Sequence, residues 1–266
     1  MRIDASEEIV APEFPRGLEW LNVAFLRMDQ LIGRGVVLVE FWDFARVNSL
    51  RTLPYAQEWH RRYADAGLRV ILVQSPGYSF GRDPAVAARA VERLEISMPV
   101  VLDPDFAVWR EYGNRGWPAR YLFDREGALR LFHYGEGEYT ETELAVQELL
   151  RELDPDASFP EPLAPLRPED AAGVTMAPQT ADIALPGERD RLELVRDWSE
   201  GEDYLEARDA GAAATVRSFA AGSAWAVLSG ADLEPGLYET DGTIVVESPG
   251  TRLHGVQFTP VPPDGS

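Results

Sequence analysis

The sequence contains no cysteine, and this absence excludes more chemistry than any other feature of the composition. Without a thiol there is no disulfide, no thiolate nucleophile and no thiolate ligand for a metal ion. Lysine is also absent, so all 25 basic residues are arginine, against 45 aspartates and glutamates. The formal net charge of -20 would repel a phosphate backbone, and no basic run reverses it locally. We therefore expect no nucleic-acid partner.

Long apolar runs are missing as well, since no stretch approaches the roughly 18 to 20 residues of a membrane-spanning helix. Residues 1–10 are acidic and lack the basic region and apolar stretch of a signal peptide. These absences predict a cytoplasmic protein with no membrane partner. A chain of 266 residues, 45% of them hydrophobic and 26% charged, has the composition of a globular protein and the length of two domains.

The first half of the chain predicts alternating strands and helices. Residues 35–42 form an apolar run with one acid, typical of a strand buried on both faces. Residues 50–66 carry apolar side chains at helical spacing and end before Gly67, and residues 68–74 form a second apolar run. This strand, helix and strand indicate a βαβ unit, so the sheet is at least partly parallel.

Helix starts and one hairpin complete this domain. Asp83 and Asp103, each followed by proline, predict helices running to about residue 94 and through residue 109. The segments 120–124 and 129–134 flank a glycine-containing turn and predict a hairpin. Thr140 and Glu143 have the spacing of a capping box before a helix over residues 144–153. We therefore predict an α/β domain over residues 1–153.

The second half of the chain has a different character. Residues 154–186 are rich in proline and acid and predict an extended linker rather than a folded segment. Residues 187–266 predict an all-β domain, a sandwich or jelly-roll-like fold, because short candidate strands recur at the spacing typical of that architecture. The candidate strands are residues 192–195, 204–207, 213–219, 225–228, 236–239, 243–247 and 254–258.

Residues 41–54 carry the most specific pattern, Phe-Trp-Asp-Phe-Ala-Arg-Val-Asn-Ser-Leu-Arg-Thr-Leu-Pro. The segment resembles the active-site segment of TlpA- and DipZ-type thioredoxin-like redoxins, where a strand and a tryptophan precede Cys-x-Asn-Cys at a helix start. Trp42, Asn48, Arg51 and Pro54 fix the register. Further matches fall at residues 19–22, 99–103, 117–122 and 135–139.

The resemblance covers about residues 11–153 and implies a thioredoxin-like fold, a central mixed sheet flanked by helices. In some relatives a carbohydrate-binding-like β-domain follows, and residues 197–228 are weakly similar to its start. The family would imply a thiol-disulfide oxidoreductase. The two positions of its redox cysteines are here Arg46 and Ser49.

Neither replacement can perform the chemistry of the family. A cysteine at a helix N-terminus is favoured as thiolate, whereas the guanidinium of Arg46 cannot attack a disulfide. The hydroxyl of Ser49 ionises far outside the physiological range without an adjacent base. We therefore predict no catalytic residue and a redox-inactive binding or scaffold protein. Two alternatives stay open: a thiol-redox or peroxidase-type oxidoreductase, and carbohydrate binding through the β-domain.

Arg46 itself admits three interpretations. It is a solvated side chain left after the site lost its use, a contact for an anion or carboxylate at a helix N-terminus, or an engineered substitution. Asp43 is one acid that could balance its charge.

Trp117 and Pro118 match the proline that faces the cysteine pair in this family, and the resemblance implies a cis peptide bond between them. Such a bond leaves the preceding backbone free to pair with an extended peptide, so we expect an unidentified protein or peptide partner at this groove. The candidate groove residues are Trp42, Asp43, Arg46, Asn48, Ser49, Trp117 and Pro118.

Other polar and aromatic residues offer weaker candidates. His133, Glu136 and Glu138 could form a metal or acid-base cluster, but the adjacent glycines favour a turn, so we expect no metal and no cofactor. His60 and His254 are predicted to lack partners. Four aromatic residues of the second domain could stack against sugar, although core packing is the commoner use of such residues. These are Trp198, Tyr204, Trp225 and Tyr238.

Overall fold

The structure, a computed structural model, describes residues 1, 9–171, 173–174, 176, 179–230 and 232–261. Expectations for residues 2–8, for residues 172, 175, 177 and 178 of the linker, and for residues 262–266 lie outside the described residues.

The chain divides into two compact units. The first comprises Met1–Asp43, Asn48–Pro76 and Gly81–Leu166, and the second comprises Phe44–Val47, Gly77–Phe80 and Arg167–Ser266. Nothing in the sequence predicted that two short segments of the first half belong to the second unit. The boundaries at 153 and 187 stay a prediction.

The first unit is built on one six-stranded mixed sheet. Its strands are β1 (Trp20–Leu21), β2 (Val36–Trp42), β3 (Leu68–Gln74), β4 (Val100–Leu102), β5 (Ala119–Phe123) and β6 (Leu129–Tyr134). Their order is β1, β4, β3, β2, β5, β6. The three strands β2, β3 and β4 run parallel, and the other pairs are antiparallel. Every residue of β2 is buried, as its continuous apolar run predicted.

Five α-helices are described. They are α1 (Met28–Leu31), α2 (Val47–Tyr63), α3 (Pro84–Arg93), α4 (Ala107–Glu111) and α5 (Tyr139–Leu153). The start of α3 is as predicted, because the carboxylate of Asp83 accepts a hydrogen bond from the Ala85 N–H at 2.9 Å. The βαβ unit formed by β2, α2 and β3 is confirmed.

Two predicted helix starts were wrong. Asp103 does not cap a helix beginning at Pro104, because its carboxylate reaches further and accepts from the Val108 and Trp109 N–H groups at 2.9 and 3.0 Å. The helix α4 therefore begins at Ala107. The capping box at the start of α5 is also absent.

Glu143 explains why that capping box does not form. Its carboxylate is 1% exposed and faces the protein interior rather than the helix end. It accepts hydrogen bonds from Tyr63 Oη at 2.6 Å, from the Leu163 N–H at 2.8 Å and from Trp59 Nε1 at 3.2 Å. A buried carboxylate that already accepts these bonds, and a further one from Arg62 Nη1 at 3.1 Å, is not available to cap a helix.

The described residues of the second unit form nine strands in two sheets. They are β7 (Ile183–Ala184), β8 (Leu192–Val195), β9 (Trp198–Glu200), β10 (Leu205–Ala207), β11 (Ala212–Val216), β12 (Ala224–Ser229), β13 (Gly236–Thr240), β14 (Thr243–Val246) and β15 (Arg252–Phe258). One sheet has the order β13, β12, β15, β10, β9, with β7 paired to β15, and the other has the order β14, β11, β8. Buried apolar residues of both sheets form one core, so the unit is a β-sandwich.

Seven of these strands were predicted; β8 has the predicted bounds, and the ends of the other six differ from the prediction by at most three residues. The strands β7 and β9 were missed because they are only two and three residues long. The interpretation of residues 154–186 as an extended linker stays a prediction. Residues 168–170 form a turn of 3₁₀ helix, and Ile183 is a buried member of the sandwich core.

Candidate functional site

Six of the seven candidate groove residues belong to the first unit and Arg46 belongs to the second. Ser49, at the second redox position, lies in the first turn of α2 and is 1% exposed. Its Oγ accepts a hydrogen bond from the backbone N–H of Asp43 at 3.2 Å. The hydroxyl thus ties the end of β2 to the start of the helix, which is a structural use rather than a nucleophilic one.

Trp42 and Trp117 are joined through the backbone of Ser75. The Ser75 N–H donates to the Trp42 carbonyl at 3.3 Å, and Trp117 Nε1 donates to the Ser75 carbonyl at 2.9 Å. The peptide bond between Trp117 and Pro118 is cis, the isomer that the resemblance implies. The ends of β2 and β3 and the loop before β5 therefore meet at one place in the first unit.

Arg46, at the first redox position, is half-buried in the second unit. Its guanidinium carbon lies 4.8 Å from the centre of the Tyr78 ring, a cation–π distance. Burial raises the pKa of Asp182 above its usual range, and the charge of Arg46 opposes that rise. The arginine therefore has an aromatic face and a carboxylate as neighbours, both from segments distant in sequence.

Gln257 of β15 binds the backbone on both sides of Arg46. Its Oε1 accepts a hydrogen bond from the Val47 N–H at 2.8 Å, and its Nε2 donates to the Ala45 carbonyl at 2.7 Å. Nε2 also donates to Tyr78 Oη at 3.0 Å. Because Val47 is the first residue of α2, the side-chain amide satisfies an N–H that the helix itself leaves unpaired. Sequence reasoning missed Gln257, Tyr78 and Asp182, and no local pattern marks them.

The cluster suggested by His133, Glu136 and Glu138 is an ion-pair and turn arrangement. His133 Nδ1 lies 3.2 Å from a Glu138 carboxylate oxygen, and its Nε2 lies 2.8 Å from the Glu136 carbonyl oxygen. The Glu136 carboxylate instead pairs with Arg51 at 2.7 Å. Among the described residues, no group of three or more metal-ligating side chains could hold an ion.

The prediction that His254 lacks a partner was wrong. Its Nε2 lies 2.7 Å from Ser229 Oγ, and its Nδ1 lies 3.1 Å from the Asp203 carbonyl oxygen and 3.3 Å from a carboxylate oxygen of Asp203. The imidazole is 1% exposed and the rings of Tyr78, Phe80 and Tyr204 surround it. Although the residue types are those of a catalytic triad, the burial of both Ser229 and His254 indicates a structural network.

The four aromatic residues considered for sugar binding do not share one surface. Trp225 is paired with Glu239 and Tyr238 with Ala226 across β12 and β13, so the two aromatic side chains lie on opposite faces of the sheet. Trp198 and Tyr238 pack against the sandwich core. Arg252 lies over the ring of Tyr204 at 4.5 Å.

Comparison with known proteins supports the thioredoxin-like fold. The chain is 30% identical over 143 residues to Thiol-disulfide oxidoreductase YkuV of Bacillus subtilis, covering 54% of this chain and 95% of that protein. The chain belongs to the thioredoxin-like redoxin family. This redoxin is also 29% identical to a thioredoxin-like protein whose solution structure was solved in the oxidized form, with a TM-score of 0.50 over 55% of this chain and 97% of that one.

A second relative matches a longer part of this redoxin. Protein DipZ of Mycobacterium bovis is 36% identical over 173 residues, which are 64% of this chain and 25% of that protein. The redoxin therefore aligns with only a quarter of the length of DipZ. No family model matches the chain. Among the described residues, no helix is both long and apolar enough to cross a bilayer.

Proposed function

We propose that this redoxin is a redox-inactive binding or scaffold protein built on a thioredoxin-like fold. The observation that carries the proposal is the set of contacts made at the first redox position. Arg46 lies over the Tyr78 ring, and Gln257 binds the backbone of its two neighbours. The segment that relatives would use to attack a disulfide is here fixed by contacts within the second unit.

The absence of cysteine supports the same proposal on chemical grounds. Thiol–disulfide exchange proceeds only by attack of a thiolate on a sulfur, and this chain has no sulfur apart from four methionines. The hydroxyl of Ser49 accepts from the Asp43 N–H, and a serine hydroxyl is a weak nucleophile unless a base activates it. The name of YkuV describes a thiol-disulfide oxidoreductase, which would be the activity assigned here by similarity; the missing thiolate argues against it.

The test is a turnover measurement on the full chain freed of metal. We expect neither reduction of insulin disulfides in the presence of dithiothreitol nor consumption of hydrogen peroxide above a buffer control. The matched positive control is the double variant Arg46→Cys, Ser49→Cys of the same chain. Turnover by the unaltered protein would overturn the proposal.

The partner at the groove and the cytoplasmic location belong to the same proposal. In the first unit, Asn48 and Trp117 are the half-buried candidate groove residues, whereas Trp42, Asp43, Ser49 and Pro118 are buried. We expect an unidentified protein or peptide to contact Asn48 and Trp117. Carbohydrate binding is the less supported alternative, because the aromatic residues of the sandwich do not form one platform. Titration with an oligosaccharide, followed by tryptophan fluorescence, would detect it.

A further inference from the structure

The β-sandwich contains a half-open cleft with a volume of about 690 Å³, which lies within the range of ligand pockets. Its walls are two strands joined by a tight turn at Asp241 and Gly242. These are β13, at one end of the larger sheet, and β14, at one end of the smaller sheet. Consecutive residues of both strands line the cleft, so the strands present their edges to it and not only one face.

The edge of β14 has backbone groups available for pairing. The carbonyl oxygen of Gly242 accepts from Val216 of β11, and that of Val246 accepts from Gly211, which precedes β11. In the alternating antiparallel pattern the N–H and C=O of Thr243 and Val245 therefore point the other way. Thr243 is already satisfied, since its N–H donates to Asp241 and its carbonyl accepts from the Thr240 hydroxyl. The outward N–H and C=O of Val245 have no strand to pair with, because β14 pairs with β11 alone among the described strands.

The cleft combines an apolar base with acidic walls. Ala226, Leu228, Ile244 and Val246 are buried core residues at its base. The charged side chains among its described lining residues are all carboxylates. These are Asp232, Glu239, Asp241 and Glu247. An occupant with positive charge and apolar side chains would therefore complement the cleft in both properties.

We propose that this cleft binds an extended peptide segment with alternating basic and apolar side chains, which adds as a strand to β14. The backbone of Val245 pairs with the segment, apolar side chains enter the base, and basic side chains face the four carboxylates. An open strand edge flanked by a pocket is the arrangement that peptide recognition by strand addition requires. A segment of four or five residues matches the lengths of β13 and β14.

The first arm of the test varies the peptide against the full chain. The probe is acetyl-Lys-Val-Lys-Val-Lys-amide, titrated by isothermal calorimetry at low and at physiological salt. We expect saturable binding at one site that weakens with salt. N-methylation of the two valine amides and of the central lysine amide removes the backbone donors that would face β14 in either strand direction, and should weaken binding by about tenfold. Replacement of lysine by glutamate should abolish binding.

The second arm varies the protein. Val245→Pro removes the outward N–H without touching the ladder to β11, and should weaken binding by about tenfold. Val245→Thr keeps that N–H and should bind as the parent does. Glu239→Gln combined with Glu247→Gln should reduce both affinity and salt dependence. The matched control is Glu193→Gln, an exposed acid on β8 outside the cleft, which should change neither.

Several outcomes would overturn the proposal. One is the absence of binding at millimolar peptide. Another is equal binding of the N-methylated and parent peptides, which would show attraction by charge alone. A third is displacement of the peptide by a neutral oligosaccharide, which would assign the cleft to sugar. Circular dichroism establishes whether Val245→Pro is folded; should it unfold, the N-methylated peptide decides the question of backbone pairing.

Discussion

Glu40 provides a test of the electrostatics at the centre of the thioredoxin-like sheet. The residue lies in β2, is 2% exposed, and neither of its carboxylate oxygens has a hydrogen-bond partner among the described residues. Burial raises the pKa of Glu40 from 4.5 to about 7, although the positive charge of Arg120, its cross-strand neighbour, works in the opposite direction. At neutral pH the carboxyl is therefore partly protonated.

The sign of the effect on stability follows from proton binding. Between pH 4.5 and about 7 the folded chain holds a proton on Glu40 that the unfolded chain has released. The free energy of unfolding therefore falls as pH rises through this window and levels off above it. The difference between the two pKa values corresponds to about 3 kcal/mol when the carboxylate is fully ionised.

The perturbation is Glu40→Gln, which replaces the titrating carboxyl by a neutral group of the same shape. Urea unfolding of both proteins at intervals from pH 4.5 to pH 9 gives the difference in unfolding free energy. We expect this difference to shift in favour of the variant by about 3 kcal/mol across the range, whatever its value at the acid end. Most of the shift should occur below pH 8.

Two further measurements make the test specific. Glu92→Gln, at an exposed position of α3, should give a difference that is nearly constant with pH. Carbon-detected NMR of the Glu40 side chain should report half-titration near pH 7 directly. Parallel stability curves for the parent and Glu40→Gln, or a Glu40 carboxyl that titrates near pH 4.5, would refute the reasoning.

Three more predictions address the replaced site and the sandwich. Arg46→Cys with Ser49→Cys should form one reducible disulfide, because a helix N-terminus lowers a thiol pKa below its free value of about 8.5. Thiol titration detects the disulfide, and thiols that stay unpaired under oxidation would show that the two positions no longer have the geometry of the family's redox site. Gln257→Leu should lower the unfolding free energy by about 1 to 3 kcal/mol in denaturant, because the Val47 N–H and the Ala45 carbonyl lose their side-chain partner. Burial opposes ionisation of Asp203, yet hydrogen bonds, chiefly from His254, hold its pKa at about 2. The ionised carboxylate stabilises the fold above pH 4 and ceases to do so as pH falls towards 2. The unfolding free energy of Asp203→Asn should therefore fall by about 1 to 2 kcal/mol less than that of the parent over this pH range, measured by thermal melts.

The sequence predicted those parts of the fold that local pattern controls. The apolar run of β2 and the proline after Asp83 each carry their own structural signal, and both predictions were confirmed. The motif around Trp42 located the redox positions because its spacing is fixed along the chain. Prediction failed where a polar side chain had a choice of partners. Glu143 had the spacing of a capping residue but is used by aromatic donors from α2.

The contacts of the candidate site were beyond prediction for a related reason. A lone histidine in a strand gives no indication that a serine from another strand and an aspartate from a loop meet it, so His254 was assigned no partner. Gln257 lies in an ordinary strand pattern, and only the folded chain shows that its amide binds the backbone beside Arg46. Long-range polar contacts of this kind leave no periodicity in the sequence.

The hydrogen bond from Val47 to Gln257 joins residues that are 210 positions apart. At translation rates of about 5 to 20 residues per second, roughly 10 to 40 s separate the synthesis of these two residues. During that interval the first N–H of α2 has only water as an acceptor, and the helix must begin without this contact. A fragment that stops before β15 would keep the helix in that state permanently. Serine or aspartate just before Val47 would compensate only in part, because an N-cap side chain accepts from the second or third N–H of a helix and not from the first.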